Sequence, residues 1–310
     1  MNVLFIASGN ANTPNGITSI VYNQGKSLEK EGIDVDYYGI KGKGFKGYLS
    51  NIGIIRNKIK KNKYDIVHAH YSMSGYATSL ACFGLKIPVI VSLMGSDVNA
   101  KAIQMFVTKF FSMLFWKNII VKSEDMKKNL GNKNAIIIPN GVDLEEFQLG
   151  NQKEYKEKVD FDINKKQIIW VSNPDRYAKN YTLAKDAFDS LSLNDVELKV
   201  INGVPHNKIK DYMLAADMLL LSSRWEGSPN VIKEAMALNL PIVTTDVGDV
   251  RIIIKDTDAC YIVSQDAQEM ASAIEKCLKF EKKTKGRDKI KHLDTKIIAK
   301  RLIQIYNETK

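Results

Sequence analysis

Residues 218–237 read Met218-Leu219-Leu220-Leu221-Ser222-Ser223-Arg224-Trp225-Glu226-Gly227-Ser228-Pro229-Asn230-Val231-Ile232-Lys233-Glu234-Ala235-Met236-Ala237. The apolar run that ends at Leu221 predicts a buried strand, and the polar loop after it carries Glu226. Pro229 suits the first turn of a helix, where its fixed φ is already helical and its missing N–H would have had no partner. Strand, loop and helix thus follow one another directly. Glu226 falls on the loop and Glu234 about one turn into the helix, with the free amides of the helix N-terminus between them. Carboxylates accept hydrogen bonds from vicinal hydroxyls, and exposed helix amides accept a phosphate, so this stretch has the chemistry to hold a sugar nucleotide.

Outward from this stretch the same rhythm repeats. Ile168–Val171, Leu198–Ile201, Ile242–Thr245 and Tyr261–Val263 are further short apolar runs separated by helical patterns. The N-terminal half has its own set: Val3–Ala7, Val35–Ile40, Ile66–Ala69, Val89–Leu93, Ile119–Val121 and Ile136–Ile138. Such runs are the signature of parallel sheets covered on both faces. A polar stretch, Leu149–Lys166, interrupts the rhythm and marks the expected boundary. The expected organisation is α/β: one Rossmann-like domain over residues 1–150 and a second over 151–294, facing each other across a cleft. A last helix within 295–310 could serve either domain, including by returning to the first. Ligands of such sheets bind beyond the carboxyl ends of the strands.

With 310 residues, 45% of them hydrophobic and 26% charged, the chain is long enough for two cores and is neither disordered nor fibrous. Cys82, Cys260 and Cys277 form no CxxC and no metal-ligand spacing, which fits a reducing cytoplasm rather than a disulfide framework. No basic residue precedes the apolar run at Val3, so it reads as a strand and not a signal peptide. Ala102–Trp116 is broken by Gln104, Thr108, Lys109 and Ser112 and is too short and polar to span a bilayer. The formal charge is +10, and residues 1–150 carry 18 Lys and Arg against 11 Asp and Glu. Eight of those bases lie between Lys41 and Lys63 with no acid among them.

The context Ser-x-x-Glu-Gly-x-Pro-Asn-Val-x-x-Glu-Ala, from Ser223 to Ala235, resembles the donor-site motif of the family 4 glycosyltransferases, retaining enzymes of GT-B fold. The resemblance implies that Glu226 approaches the transferred sugar and that Glu234 binds the ribose. Ser228, Pro229, Asn230 and Val231 would lie along the donor. Asn15-Gly16-Ile17 looks like the family's glycine loop facing the donor phosphate, although a turn glycine serves any tight turn. His68-Ala69-His70-Tyr71 resembles the common stretch closing the third strand; equally, one histidine is packed and one solvated. Gly95-Ser96-Asp97 looks like the end of a His-Gly-x-Asp motif in which Met94 stands for the histidine, and a thioether shuttles no proton. His70, Met94, Gly95 and Asp97 would thus lie near the acceptor or the sugar. Pro139-Asn140-Gly141-Val142-Asp143 matches a structural turn of the family. In Ser172–Lys179, Lys179 maps onto the family's phosphate-binding lysine, and Arg176 is proposed by proximity as the guanidinium for the diphosphate. Solvated loop charges are the bland alternative.

The resemblance implies transfer from a nucleoside-diphosphate sugar to a polysaccharide or glycolipid acceptor. The departing phosphate would help to deprotonate the acceptor, and domain closure would exclude water. No cofactor or metal is expected. The triplets Asp34-Val35-Asp36, Asp160-Phe161-Asp162 and Asp256-Thr257-Asp258 read as solvated charge, and Lys179, Arg176 and helix dipoles can neutralise a diphosphate. The basic stretch spaces Tyr48, Ile52, Ile55 and Ile59 on one helical stripe, which packs on the core or lies on an anionic membrane at its inner, cytoplasmic face. No nucleic-acid motif is present, and no Gly-x-Gly-x-x-Gly follows the first strand to suggest a dehydrogenase. Two rivals stay open: a sugar-nucleotide-binding protein without transfer activity, motivated by Met94, and a sugar-nucleotide epimerase on the same scaffold.

Overall fold

The computed structural model describes residues 1–9, 16–42, 44–98, 102–280 and 282–310. Asn15 of the glycine loop and Lys43 of the basic stretch lie outside the described residues. Two compact units are formed, Met1–Gly141 with Thr295–Lys310, and Val142–Asp294.

The first unit runs β1 (Asn2–Ser8), α1 (Ser19–Lys30), β2 (Asp34–Ile40), α2 (Gly44–Ser50), α3 (Ile52–Lys61), β3 (Ile66–His70), α4 (Ser72–Cys82), β4 (Val89–Ser92), α5 (Gly95–Val98), α6 (Ala102–Leu114), β5 (Asn118–Val121), α7 (Glu124–Leu130) and β6 (Ile136–Ile137). The strands pair in the order β2-β1-β3-β4-β5-β6, all parallel. Alternate residues of each strand enter opposite cores: Leu4 and Ile6 pack on α3 and α4, Val3 and Phe5 on α1 and the C-terminal helix. The predicted apolar stripe of the basic stretch is divided over α2 and α3, and all four members face the core, Ile55 and Ile59 fully. Asn51 joins the two helices, donating to the carbonyls of Lys41 (2.8 Å) and Gly47 (2.6 Å) and accepting from the Tyr38 hydroxyl (2.7 Å).

The second unit runs α8 (Gln152–Lys158), β7 (Lys166–Val171), α9 (Tyr181–Asp189), β8 (Val196–Ile201), α10 (His206–Ala215), β9 (Met218–Leu221), α11 (Asn230–Ala237), β10 (Ile242–Thr245), α12 (Val250–Ile253), β11 (Cys260–Val263), α13 (Ala267–Leu278) and α14 (Gly286–Lys289). Its strand order is β11-β10-β9-β7-β8, again all parallel. Val142 and Phe147 are buried in this unit's core. Arg287 donates to the carbonyls of Leu144 and Phe147, and the Val142 amide to Leu293 at 3.0 Å. These contacts carry residues 142–150 into the second unit, ahead of the boundary expected at 150. Helix α15 (Thr295–Thr309) returns to the first unit, where Ile298, Leu302 and Tyr306 are buried.

In each sheet the connections leave in opposite directions at one point, between β1 and β3 in the first unit and between β7 and β9 in the second. Loops diverge there and open a crevice past the strand ends, which is where ligands of such sheets bind. In the second unit the two loops at that point are Ser172–Asn180 and Ser222–Pro229.

Candidate functional site

The two loops of the second unit are tied together from below. The Ser222 hydroxyl accepts from the Trp170 indole at 3.0 Å and lies 3.0 Å and 2.9 Å from the carbonyls of Lys179 and Asn180. The Arg224 amide donates to Ala178 at 2.8 Å. On this frame Lys179 and Glu226 meet: the ammonium donates to Glu226 Oε1 at 2.5 Å, and the Ser223 hydroxyl donates to the same oxygen at 2.8 Å. Both side chains are mostly buried, with 15% and 18% of their surfaces exposed, so the pair is desolvated without being closed off. In sequence Lys179 and Glu226 fall in separate loops; the switch point brings them together.

Arg176 is not part of this arrangement. It stays exposed as the N-cap before the 3₁₀ turn Tyr177–Lys179, and among the described residues its guanidinium makes no hydrogen bond or ion pair. A guanidinium that does join this loop is that of Arg224, which donates to Asn180 Oδ1 at 2.8 Å and stacks 4.6 Å over the Tyr177 ring. Asn180 adopts φ 52°, a left-handed conformation that Asn tolerates, and bonds on to Gln265 at 2.8 Å.

Glu234 lies on α11, buried, and its Oε1 is 2.9 Å from His206 Nε2 at the start of α10. That hydrogen bond to a carboxylate raises the His206 pKa above its ordinary value. Pro229 is the N-cap of α11, so the first amides offered are those of Asn230 and Val231. The Asn230 side-chain oxygen is buried with no hydrogen-bond partner among the described residues.

The Ser228 hydroxyl is turned into the protein. It is buried, donating to Asp249 Oδ2 and accepting from Lys233 Nζ, each at 2.5 Å. Lys233 is wholly buried, and burial pushes its pKa down to about 8; burial likewise raises the Asp249 carboxyl. This network clamps the Glu226 loop onto the turn before α12. Gly248, at φ 58°, completes the clamp, since a Cβ there would stand 2.8 Å from the Gly227 carbonyl. Arg224, His206, Lys233 and Asp249 do not stand out in the sequence. The contiguity of Lys233 with Glu234 on α11 is the one signal it offers.

In the first unit, Gly16 has φ 65°, and its carbonyl packs against the Cα of Gly39, where a Cβ would stand 2.1 Å away. Both histidines of the third strand are buried, so neither is the solvated one. His68 bonds Tyr306 (2.6 Å) and Ser92 (2.8 Å), and burial takes its pKa down to about 3. His70 stacks on His68 at 4.4 Å and is likewise held neutral. Met94 is buried in the core beside β1 and β4. Asp97, buried on α5 behind Gly95, accepts from the Ser72 amide (3.0 Å) and hydroxyl (2.7 Å) and from the Met94 amide (2.6 Å). Asp97 thereby ties the ends of β3 and β4 together, Met94 is a packing group, and both ring nitrogens of His70 are buried with no hydrogen-bond partner among the described residues. Gly95 opens α5.

Two doubly wound parallel sheets, the first with glycines in the loop after β1 and the second with charged loops at its switch point, define the GT-B class. The solved structures agree. Sucrose-phosphate synthase from Thermosynechococcus elongatus superposes with TM-score 0.83 over 99% of this chain and 98% of its own at 15% identity. Anabaena HepE in complex with UDP gives 0.78 over 99% and 100%, also at 15% identity. The sequence model described as Glycosyltransferase Family 4 matches residues 17–146, and that described as Glycosyl transferases group 1 matches residues 184–279. A putative teichuronic acid biosynthesis glycosyltransferase, TuaC, of Bacillus subtilis is 29% identical over 68% of this chain and 60% of its own. The UDP-Gal:alpha-D-GlcNAc-diphosphoundecaprenol alpha-1,3-galactosyltransferase of Escherichia coli is 25% identical over 70% and 67%. This chain therefore spans about three-fifths of the length of the first of these relatives. It belongs to the group 1, family 4 glycosyltransferases.

Proposed function

We propose that the chain is a retaining glycosyltransferase that moves a hexose from a nucleoside-diphosphate sugar to a polysaccharide or glycolipid acceptor. The observation that carries this reading is the Lys179–Glu226 pair held at the second sheet's switch point beside the α11 N-terminus. The Lys179 ammonium and the amides of Asn230 and Val231 stabilise the charge that develops on the leaving diphosphate, so this chemistry needs no bound metal. Glu226 orients the sugar, and Glu234, fixed by His206, accepts from the ribose hydroxyls. No histidine of the first unit serves as a base: His68 and His70 are buried and Met94 replaces the third. The departing phosphate takes the acceptor proton on the same face, which is the route to retention. A donor of the UDP class and a lipid-linked acceptor are supported by the likeness to HepE, which binds UDP, and to the Escherichia coli galactosyltransferase, which acts on a diphosphoundecaprenol-linked sugar.

The test is transfer itself. Purified chain, a uridine-diphosphate hexose and a lipid-linked saccharide should give a product whose anomeric configuration, read by NMR, matches the donor. Glu226→Ala should lower kcat by about 10²-fold or more, the scale on which transition-state electrostatics act. Inverted product would remove the retaining mechanism, and equal turnover of the variant would remove the assignment of Glu226.

A further inference from the structure

Helix α6 buries one face and leaves the other bare. Inward, Phe111 packs on Tyr76 at 4.8 Å and the Thr108 hydroxyl meets the Tyr76 hydroxyl at 2.6 Å. Outward, Ile103, Phe106, Phe110 and Met113 recur every three or four residues and are 50–82% exposed. Phe83 continues the patch at 69% exposure, its ring 6.4 Å from that of Phe115. Large apolar side chains gathered on one helix face mark a contact surface, whereas singly scattered ones do not.

The charges at the C-terminal end of this face are of one sign. At its C-terminal end a surface depression of about 450 Å³ is lined by Met113 together with Lys109, Lys117 and Lys133, and by no carboxylate. From Lys41 to Ser123 the acids are Asp65, paired with Lys310, and Asp97, which is buried; the next two, Glu124 and Asp125, open α7, the end of the helix opposite the Gly131 turn that meets Lys109. The apolar stripe of α3 is already in the core, so its lysines bring charge to this unit but no apolar face.

We propose that the outer face of α6 docks the chain on an anionic lipid bilayer, with Phe106, Phe110 and Met113 entering the boundary between headgroups and acyl chains and Lys109, Lys117 and Lys133 reaching lipid phosphates. An apolar helix face with three lysines and no carboxylate at its C-terminal end is complementary to such a surface. A second copy of the chain fits poorly, because a two-fold contact sets the patch against itself and opposes its lysines. The helix lies on the membrane: thirteen residues span about 20 Å, and among the described residues no helix is long and apolar enough to cross. This contact goes beyond the transferase reading, and its test needs neither donor nor acceptor.

The experiment is co-sedimentation of the full chain with phosphatidylcholine vesicles, with and without about 30% phosphatidylglycerol. Binding should require the anionic lipid and fall with salt. It should drop at least about tenfold in the triple variant Phe106→Ser, Phe110→Ser, Met113→Ser, and also in Lys109→Gln, Lys117→Gln, Lys133→Gln. A Phe106→Trp variant should show a blue-shifted emission when anionic vesicles are added, which keeps the test open if the triple serine variant does not fold. Absence of binding to anionic vesicles, unchanged binding by the triple variants, or an unshifted emission from the Phe106→Trp variant would overturn the proposal. So would a solution dimer that only the serine variant dissolves into monomers.

Discussion

Replacing Lys233 by Met should destabilise the second unit in a strongly pH-dependent way. Lys233 is fully buried and reaches Asp249 through the Ser228 hydroxyl by two contacts of 2.5 Å. Its pKa falls from 10.5 to about 8, so holding it charged at neutral pH costs about 3 kcal/mol at 1.36 kcal/mol per pH unit. Such a cation persists because Asp249, also buried, needs it. Removing one member of a buried pair usually costs about 3–5 kcal/mol, because the other is left without compensation. Asp249 escapes part of this by taking a proton, its carboxyl being raised already. The expected loss for Lys233→Met is therefore about 3 kcal/mol at pH 8, shrinking as the solution is acidified and Asp249 is neutralised. In a unit of this size that lowers Tm by roughly 6–12 °C. The double variant Lys233→Met, Asp249→Leu removes both charges and should return to within about 1 kcal/mol of the native protein. In the native protein the unfolded chain binds the Lys233 proton more tightly than the folded one between about pH 8 and 10.5. This contribution to stability thus rises with pH across that window and is flat below it, and the variant lacks the rise. Melting followed by circular dichroism near pH 5, 8 and 10 measures all three. A single variant that melts with the native protein at pH 8, or a double variant as unstable as the single, would refute the reasoning.

Two further outcomes are expected. The His206 pKa is raised by Glu234, so the stability it contributes is present below its unfolded value of about 6.5 and lost as pH rises through its folded value; His206→Asn should flatten the change in unfolding free energy between pH 5.5 and 8.5, read by urea unfolding, by no more than about 1 kcal/mol, because the side chain is 36% exposed and screened. Asp97→Asn keeps one acceptor oxygen for the three donors it holds now, leaving a buried N–H orphaned at a cost of about 1–3 kcal/mol, which urea unfolding of the native protein and the variant would read as a lower midpoint.

The sheets were legible because their strands are continuous apolar runs, and the runs of the sequence reappear as β1 to β11 within a residue or two. Glu226, Pro229 and Glu234 were legible because turn and helix-start chemistry fixed them on a loop and a helix. Partners distant in sequence were not. His206 and Glu234 are 28 residues apart, and Lys179 and Glu226 are 47 apart, so only the strand order decides that they meet. Arg176 recommends itself only by nearness to Lys179 along the chain. Arg224, from the loop after β9, meets Asn180 and Tyr177 instead, because β9 lies beside β7. The surroundings of the Ser228 hydroxyl were hidden for a different reason: a hydroxyl between a buried lysine and a buried aspartate is indistinguishable in sequence from one facing solvent. The end of the first unit moved from 150 to 141 because Phe147, in a polar neighbourhood of the sequence, is an anchor of the second core.

The central claim is that the second unit holds a nucleotide sugar through Glu234 and the α11 N-terminus. Thermal shift of the full chain with a panel of nucleoside diphosphates and their hexose conjugates tests it, since a ligand that prefers the folded state raises Tm. The account predicts a donor-selective rise for the native protein, about 3 kcal/mol at a hundredfold excess over Kd, that disappears in Glu234→Ala. The same rise in the variant, or no rise with any donor, would contradict it.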